Sequence, residues 1–560
     1  MRKLFAVLLV AATASANDIS YRSLQSFTAA TPLHDRGLHG EGQIVAVLDT
    51  GLDYSSCYFA EPGNAPPPIN SGSPLGGLDW QNVDYSRRKV IAYNFLYSCD
   101  QFPGARGCEN PGDLANAYDN QGHGTHAAGS IAGDKGALIA HDYGDAIATG
   151  AKLVIQDGGF IGGDNCSHRP GFGCPVNLTP ILDQAYRQGA RIHSNSWGDR
   201  QNTGQGAAAP TANYPASARD VDAFVHSHPD MLVVFNTGNY TPNGTPPAST
   251  LSAPGSAKNT LQVGGSRGYR GQTDEVIAGY SLVGPTRDGR IKPDVVGPAW
   301  VDGADARVIL NSGSLDPNCF STPQGGTSWS SPSVAGAAAL VRQYYTEGWY
   351  PSGARNNANR MTPSAALLKA TIIASARPLT SLAVVNSAGA LRPVPAQPVP
   401  SYEQGFGFPV LDDALYFPGD RLRLRVSDVA PGLAQAETAT MQLDVRAGAK
   451  FRVVLVWTDP AGTAVPVNDT RPQLVNDLDL RVVGPGGAAV WGNDSLHSGQ
   501  PDRLNNVEAV ILAAPAAGIY TISVTANRIN TGARQSYALV VTGDLADEAA
   551  APARRRAIRR

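Results

Sequence analysis

The sequence is poor in methionine, in charged residues and in long apolar runs. Its 560 residues include only 4 Met, and Asp, Glu, Lys and Arg together make up 16% of the chain, with a net charge of −3. A chain with this balance has no broad basic surface to attract nucleic acid and no acidic excess of the kind that prevents folding. The 61 Gly and 41 Pro indicate many turns, which favours a strand-rich or α/β protein over a helical bundle.

The one conspicuous apolar run lies at the N-terminus. Arg2 and Lys3 precede LFAVLLVAA, and the small residues Ala14 and Ala16 follow it. The run is shorter than the ~18–20 residues that cross a bilayer, which disfavours a membrane anchor. We interpret residues 1–16 as a secretory signal peptide and expect an extracellular protein with no membrane span.

Cysteine is also scarce, and no Cys-x-x-Cys occurs, which disfavours a metal-binding role for the thiols. An even number of cysteines in an exported chain favours disulfides. The close spacings suggest two local bridges and leave one long-range pair. The predicted pairs are Cys99–Cys108, Cys166–Cys174 and Cys57–Cys319.

The hydrophobic pattern changes once along the chain and divides it into two parts. From about residue 42 to 420, short apolar runs such as IVAVLD and KLVIQD alternate with amphipathic stretches, which predicts buried parallel strands covered by helices. After about residue 420, strictly alternating segments such as RLRLRV and YTISVTA predict an antiparallel sandwich or barrel. We therefore expect an α/β domain followed by an all-β domain.

Asp49, at the end of IVAVLD and before Thr-Gly, could serve several chemistries. A one-chain aspartic peptidase needs two Asp-Thr/Ser-Gly motifs, and the chain has one. A phosphatase of the Asp-x-Asp type is excluded because Gly51 stands where its second aspartate is required. The zinc-peptidase motif His-Glu-x-x-His is absent. A Gly-x-Ser-x-Gly motif surrounds Ser266, but a loop-like segment follows it where the hydrolase elbow requires a helix. We interpret Ser266 as a turn residue.

Two further motifs offer partners for Asp49. In DNQGHGTHAAGSIAG, His123 precedes a small-residue helix, and in GGTSWSSPSVAG, Ser328 opens a long helix that tolerates Pro332 in its first turn. A helix start provides free N–H groups and a dipole that stabilise negative charge. Taken singly, each motif has an ordinary alternative. Asp49 could be a turn residue, His123 could form half of a metal site with His126, and Gly-Thr-Ser could be a loop. Together they follow the order Asp, His, Ser of subtilisin-type triads.

The segments VAVLDTGLD, GHGTHAAGSIAG and GTSWSSPSVAG resemble the three signature segments of the subtilisin-like serine peptidases, or subtilases. The resemblance covers roughly residues 38 to 418. It implies that Asp49 holds the imidazole, that His123 is the general base and that Ser328 is the nucleophile. The expected partners are protein or peptide substrates, and the expected form is a monomer.

Two more stretches fit this family. MLVVFNTGN resembles the strand that ends in the oxyanion-hole asparagine, which maps onto Asn239 because the family pattern is Gly-Asn, and not onto Asn236. The backbone N–H of Ser328 would complete the hole. HSNSWGD resembles the substrate-binding strand, so the resemblance assigns substrate binding to Ser196, Trp197 and Gly198.

The distal part resembles the branch of the family that carries a jelly-roll β-barrel. EQGFGFPVLDDALYF looks like the end of a subtilase domain, which implies a peptidase domain over 17–418 and a jelly roll over 419–545. Residues 546–560 have no apolar periodicity and carry five arginines, so we predict a disordered Arg-rich tail. The clusters NDLD and NNVE place oxygen ligands on turns, as Ca²⁺ prefers. We predict a structural calcium site, with carboxylates that merely cap turns as the alternative. Its ligands would be Asp477, Asp479 and Glu508.

One departure concerns the residue after the nucleophile. Trp329 stands where the family commonly has Met, which predicts tolerance of peroxide because a thioether would oxidise there. The sequence also allows a function of another class, a non-catalytic protein that binds a partner through its β-barrel. The presence of Asp49, His123, Asn239 and Ser328 together favours the peptidase.

Overall fold

The expected order, an α/β domain followed by an all-β domain, is confirmed by the computed structural model. The first domain is built on a large, mostly parallel sheet, and the second on two separate antiparallel sheets. The structure describes residues 24–26, 30–73, 77–96, 122–136, 144–158, 177–198, 212–240, 246–267, 276–306, 320–385, 391–466 and 468–546.

The first strand of the first domain, β1, is a run of apolar residues that is buried almost throughout. In β1, IVAVLD, five of six residues are buried, as expected for a strand covered on both faces. The strands are β1 (Ile44–Asp49), β2 (Ile69–Ser73), β3 (Gly77–Leu78), β4 (Val90–Leu96), β5 (Lys152–Asp157), β6 (Ile192–Asn195), β7 (Leu232–Asn236), β8 (Leu261–Ser266), β9 (Val276–Ile277), β10 (Val295–Pro298), β11 (Trp300–Ala304), β12 (Ser321–Gly325), β13 (Ala376–Arg377), β14 (Ser381–Val385), β15 (Leu391–Pro395) and β16 (Phe408–Pro409).

The large sheet has the strand order β15-β14-β9-β8-β7-β6-β1-β5-β4-β2-β3, with β10 also paired to β8. Its centre, from β8 through β1 to β2, is entirely parallel. The carboxyl ends of parallel strands meet at one edge of a sheet, so the residues after β1, β6 and β7 come together. Ligands of open α/β sheets bind at that edge.

The helices form two groups around the sheet. Helix α4 packs on α1 and on α5, α2 packs on α3, and both groups contact strands of the large sheet. The helices of the first domain are α1 (His123–Ala132), α2 (Thr179–Arg187), α3 (Ala216–Ser227), α4 (Thr327–Thr346) and α5 (Ala365–Ser375). None of the helices in the described ranges is long and apolar enough to cross a membrane.

The second domain consists of eight strands in two four-stranded antiparallel sheets, with the orders β17-β24-β19-β22 and β18-β23-β20-β21. Among the described residues, these two antiparallel sheets agree with the all-β domain that the alternating segments predicted, and the jelly-roll connectivity that the resemblance implies stays a prediction. A short helix, α6 (Asp494–His497), follows β21. The strands are β17 (Arg423–Leu433), β18 (Thr438–Val445), β19 (Phe451–Val456), β20 (Asp477–Val483), β21 (Ala489–Trp491), β22 (Val507–Leu512), β23 (Gly518–Arg528) and β24 (Gln535–Gly543).

The two domains share a buried interface. Helix α5 of the first domain packs against β19 and β24 of the second. Beside this contact, the fully buried Lys258 forms an ion pair with the equally buried Asp459 of the second domain, and its ammonium group also donates to the carbonyls of Pro460 at 2.6 Å and Gln473 at 2.8 Å. Charged groups are rarely buried unless they are paired, so this contact ties the domains together.

Candidate active site

Asp49 is the last residue of β1, and its side chain is buried. One carboxylate oxygen, Oδ1, accepts a hydrogen bond from the backbone N–H of Thr50 at 2.8 Å. Gly51 follows with φ +106°, and a Cβ there would lie 2.7 Å from an Asp157 carboxylate oxygen. The Asp-Thr-Gly motif is therefore a tight turn in which only glycine fits at the third position, and it sets the direction of the Asp49 carboxylate.

His123 is the first residue of α1 and is also buried. Its Nδ1 lies 2.6 Å from Oδ1 of Asp49, which favours the tautomer that donates from Nδ1 and leaves Nε2 as an acceptor. Nε2 is buried and has no hydrogen-bond partner in the part of the chain that the structure describes. The pair has the geometry of an orienting acid and a general base.

Gly124 explains how the helix approaches Asp49 so closely. A Cβ at this position would lie 2.1 Å from the carbonyl oxygen of Gly51, and the Gly124 N–H donates to the Thr50 hydroxyl at 2.9 Å. Glycines on either side of an imidazole can leave room for a substrate. At Gly124 the space is instead taken by the Asp-Thr-Gly turn, which packs directly on α1.

Ser328 is the second residue of α4 and is buried at 3% exposure. The helix begins at Thr327, so Pro332 is its sixth residue and not part of the first turn as expected. Proline has no N–H to donate to the carbonyl four residues earlier, which here belongs to Ser328. The hydroxyl of Ser196 fills that role and donates to the Ser328 carbonyl at 2.7 Å.

Ser196 follows β6, the strand predicted to bind substrate. Its side chain is buried against α4, where it also lies 3.2 Å from the hydroxyl of Ser331. The hydroxyl of Ser196 therefore positions the helix that carries Ser328, and only the backbone of this residue is left to meet a peptide. The sequence contained a signal for this contact, a proline four residues after the serine, but not the identity of its partner.

Trp197 and Gly198 continue from the same strand and are both half-buried. The indole of Trp197 packs edge-on against Phe235 of β7, with ring centroids 5.4 Å apart. A Cβ on Gly198 would lie 2.6 Å from the hydroxyl oxygen of Ser252, so no larger residue fits. These contacts hold the backbone after β6 in one position beside the sheet edge.

Asn239 lies beyond the end of β7 and is half-buried. Its side-chain oxygen accepts from the Thr327 N–H at 2.8 Å and from the Thr327 hydroxyl at 3.0 Å. The amide is thereby fixed against the residue that precedes Ser328. Asn236, the other asparagine of the segment, is the buried last residue of β7.

Trp329 lies between two histidines. Its ring centroid is 4.8 Å from that of His123 and 4.0 Å from that of His126. The indole is buried, and its N–H has no hydrogen-bond partner among the described residues. His126 is fully buried, and burial lowers the pKa of its imidazole to about 4. We considered His126 as half of a metal site, but its ring packs under Trp329 and its Nε2 lies near the backbone of Thr322 and Gly303.

The predicted calcium ligands lie together in the second domain, but a cation is already present among them. The guanidinium of Arg503 contacts both carboxylate oxygens of Asp479 and lies 3.2 Å from Asp477. Burial, followed by the nearby Asp502, raises the pKa of Glu508 well above its usual value. Within the described ranges no group of three or more His, Cys, Asp or Glu side chains could hold a metal ion. The arrangement of these residues therefore does not fit Ca²⁺, which needs six to eight oxygen ligands.

Two other predictions concern Ser266 and the cysteines. Ser266 is the last residue of the buried strand β8, and its hydroxyl donates to the Gly297 carbonyl at 3.0 Å, so it is a strand residue and not a turn residue. Cys57 is disulfide-bonded. The other five cysteines lie outside the described residues, as do the signal peptide and most of the Arg-rich tail, and their predicted pairings remain predictions.

Comparison with known proteins agrees with the motifs. The family model described as "Subtilase family" matches residues 40–407. The chain is 26% identical to the "Serine protease/ABC transporter B family protein tagA" of Dictyostelium discoideum, over 94% of this chain and 32% of that protein. It is 24% identical to the "Extracellular basic protease" of Dichelobacter nodosus, over 84% of this chain and 72% of that protein.

Among solved structures, the serine protease of Aeromonas sobria is 16% identical, with 95% of this chain and 96% of that chain covered and a TM-score of 0.39. The chain spans about a third of the length of the Dictyostelium relatives that it matches. The family match, in contrast, extends over more than half of this chain and includes Asp49, His123, Asn239 and Ser328. The chain belongs to the subtilase family.

Proposed function

We propose that this chain is a secreted serine endopeptidase that cleaves peptide bonds with Asp49, His123 and Ser328, assisted by Asn239. The observation that carries the proposal is the 2.6 Å hydrogen bond between His123 Nδ1 and Asp49 Oδ1. Both side chains are buried, and Ser328 lies at the start of α4, the helix that packs against α1. These are the three residue types and roles of the Ser-His-Asp triad.

The chemistry follows from these roles. The Oγ of Ser328 attacks the carbonyl carbon of the scissile bond while His123 Nε2 takes the hydroxyl proton. His123 then gives this proton to the departing amine, and an acyl-enzyme remains on Ser328. A water attacks the ester with Nε2 again as the base, which releases the acid and restores the serine. Asp49 stays ionised and stabilises the imidazolium in both steps.

The tetrahedral intermediates carry a negative oxygen that needs donors. The backbone N–H of Ser328 lies in the first turn of α4, where N–H groups have no acceptor within the helix, and the helix dipole adds positive potential. Asn239 contributes a second donor, Nδ2, because its Oδ1 is engaged by Thr327. Two donors on the developing charge are the usual composition of an oxyanion hole.

Substrate would bind in an extended conformation along the residues that follow β6. An exposed strand edge pairs with the backbone of a peptide and not with its side chains. Such pairing suits protein substrates of varied sequence. The fixed positions of Trp197 and Gly198 would then form a wall of the pocket for the residue before the scissile bond.

Secretion is supported by the disulfide at Cys57, because disulfides persist in oxidising compartments. Residues 1–16 would be removed during export. N-terminal sequencing of the protein recovered from culture medium should begin at Asn17. Recovery only from the cytoplasm, with Met1 retained, would contradict secretion without affecting the catalytic assignment.

The experiment that tests the catalytic proposal is casein hydrolysis by the whole chain and by Ser328→Ala. The variant should keep the fold but lose nearly all hydrolysis and all labelling by a serine-directed phosphonate. The matched control is Ser333→Ala in the same helix, whose hydroxyl donates only to the Trp329 carbonyl, and it should keep both. If the unaltered chain neither hydrolyses casein nor takes the label, the alternative of a non-catalytic binding protein would be favoured.

A further inference from the structure

A cavity of about 240 Å³ lies at the junction of the two domains, away from Asp49, His123 and Ser328. The first domain lines it with Arg377 of β13 and Asp413. The second domain lines it with Lys450, Arg452 of β19 and Thr542 of β24. Three cations thus face a single carboxylate in one cavity.

Arg452 is the central residue of this cavity. Its side chain is 2% exposed, and it reaches across the domain interface, where Nη1 donates to the Ala374 carbonyl of α5 at 2.8 Å. The other two nitrogens, Nε and Nη2, are buried and have no hydrogen-bond partner within the described part of the chain. Buried polar groups are nearly always paired, and leaving a buried charged donor unpaired is costly.

The geometry of a guanidinium shows what would satisfy these two nitrogens. Nε–H and Nη2–H point in the same direction and form the edge that binds two oxygen atoms of one acceptor. Arg377, in the same cavity, uses this edge for Asp413, with Nε–Oδ2 at 2.9 Å and Nη2–Oδ1 at 2.7 Å. The corresponding edge of Arg452 has no hydrogen-bonded acceptor among the described residues, and the contact with Asp413 that the ion pair gives is 3.7 Å from Nη1.

The charges around Arg452 favour an anion over a neutral ligand. Asp413 is already paired with Arg377, and the exposed Lys450 adds a further cation. Partial burial of the Lys450 side chain lowers its pKa, and the positive charge of Arg452 lowers it further. An anion placed between these two side chains would relieve their repulsion.

We propose that this cavity is an anion-binding site for a carboxylate, phosphate or sulfate group that presents two oxygens to Nε and Nη2 of Arg452. Lys450 contributes the second positive charge from the exposed side. Since Arg452 belongs to the second domain and the Arg377–Asp413 pair to the first, the bound anion strengthens the junction between the domains. A ligand that binds only the folded state raises its stability.

The test is calorimetric titration of the whole chain with sodium phosphate, sodium sulfate and sodium acetate, each against sodium chloride at equal ionic strength, with melting temperatures measured in the same solutions. The three anions distinguish the possible sources of the oxygen pair. We expect saturable binding of at least one of them and a rise of a few degrees in the melting temperature relative to chloride.

Two variants assign the binding to this cavity. Lys450→Gln changes an exposed residue and should fold normally while weakening binding several-fold; Arg452→Lys keeps the charge but loses the bidentate edge and should abolish binding. Arg355→Gln, an equal charge change at a side chain 63% exposed and distant in sequence, should bind like the unaltered chain. Absence of binding by all three anions, or equal binding in Lys450→Gln, would overturn the proposal.

Discussion

The imidazole of His123 packs on the indole of Trp329, with ring centroids 4.8 Å apart and ring planes inclined by 44°. Trp329 directly follows Ser328 in the chain, so one residue of α4 is the proposed nucleophile and the next restrains the proposed base. A buried aromatic ring against the imidazole limits its rotation and complements the hydrogen bond from Nδ1 to Asp49. The hydrogen bond to Asp49 thus holds the edge of the imidazole, and Trp329 packs on its face.

Replacing Trp329 by Met should make the enzyme sensitive to oxidation. Peroxide converts a methionine thioether to a polar sulfoxide, which would then lie against His123, whereas an indole is not open to that conversion. We expect the unaltered chain to keep its activity during peroxide treatment and Trp329→Met to lose most of it. Residual caseinolytic activity against time, with mass spectrometry of the oxidised peptide, measures this.

The natural methionines serve as the internal control for this experiment. Met231 is fully buried beside β7 and belongs to the core. If the unaltered chain is inactivated as quickly as Trp329→Met, then another residue is responsible and the prediction fails.

Asn239→Ala should lower kcat with little change in KM. Removing one oxyanion-hole donor costs about 10²–10³ in kcat, because the charge that it stabilises exists only in the transition state. Steady-state kinetics on a peptide substrate would measure both constants. An unchanged kcat would exclude Asn239 from the oxyanion hole.

Asn239→Asp separates the donor from the structural role of this side chain. Aspartate can still accept the hydrogen bonds from Thr327 that Oδ1 now accepts at 2.8 and 3.0 Å, but it has no N–H to donate. We expect normal thermal stability and a loss of kcat at least as large as in the alanine variant. Recovery of activity in the aspartate variant would mean that Asn239 acts only by holding α4.

Lys258→Met should destabilise the whole chain and not one domain. The substitution leaves the carboxylate of Asp459 buried without its cation, and breaking a buried ion pair in this way costs about 3–5 kcal/mol. Because the pair joins the two domains, we expect them to unfold in one calorimetric transition that moves to lower temperature. Two separated transitions in the unaltered chain would contradict this coupling.

An exposed ion pair provides the comparison. Arg355 pairs with Glu347 at 2.9 Å, but its side chain is 63% exposed, and pairs of this kind contribute about 0–1 kcal/mol. Arg355→Met should therefore change the free energy of unfolding far less than Lys258→Met. In the double variant Lys258→Met, Asp459→Asn, the loss should be smaller than the sum of the single losses, because the unpaired charge is gone.

Arg503→Ala should create a dependence on calcium that the unaltered chain lacks at this cluster. Without the guanidinium, Asp477 and Asp479 face each other with no cation between them, and a divalent ion can take its place. We expect a lower melting temperature that calcium chloride partly restores and EDTA does not. In the unaltered chain, EDTA and calcium should give the same melting temperature.

Arg471 offers a control for nonspecific salt effects. Its side chain is 68% exposed and pairs with Asp469 at 2.6 Å, outside the predicted cluster. Arg471→Ala should show no restoration by calcium. A melting temperature of the unaltered chain that falls with EDTA would instead support the calcium site that the sequence predicted.

Patterns within short stretches of sequence predicted much of the fold. The apolar runs predicted the parallel strands, the alternating segments predicted the second domain, and the order of Asp49, His123 and Ser328 indicated the family. Each of these signals lies within a few residues of chain, because burial periodicity and turn chemistry are local properties. The choice of Asn239 over Asn236 rested instead on the Gly-Asn pattern of the family that the segment resembles, and it remains a prediction.

Such patterns could not predict contacts between residues that are distant in the sequence. Pro332 was expected in the first turn of α4, but its position as the sixth residue leaves the Ser328 carbonyl to a hydroxyl 132 residues away, that of Ser196. Carboxylates on turns suggested calcium, and no local feature indicated that Arg503 would lie between Asp477 and Asp479.

Residue types and their spacing were thus sufficient to predict the fold class, and the resemblance of three segments to subtilase signatures added the family and the candidate catalytic groups. The tertiary structure alone decided which buried charges are paired, which hydroxyl supports α4, and that Arg452 lines a cavity between the domains with two nitrogens that have no hydrogen-bond partner among the described residues. The reason is physical: hydrophobic patterning acts along the chain, whereas pairing of charges and donors depends on which distant side chains packing brings within about 3 Å.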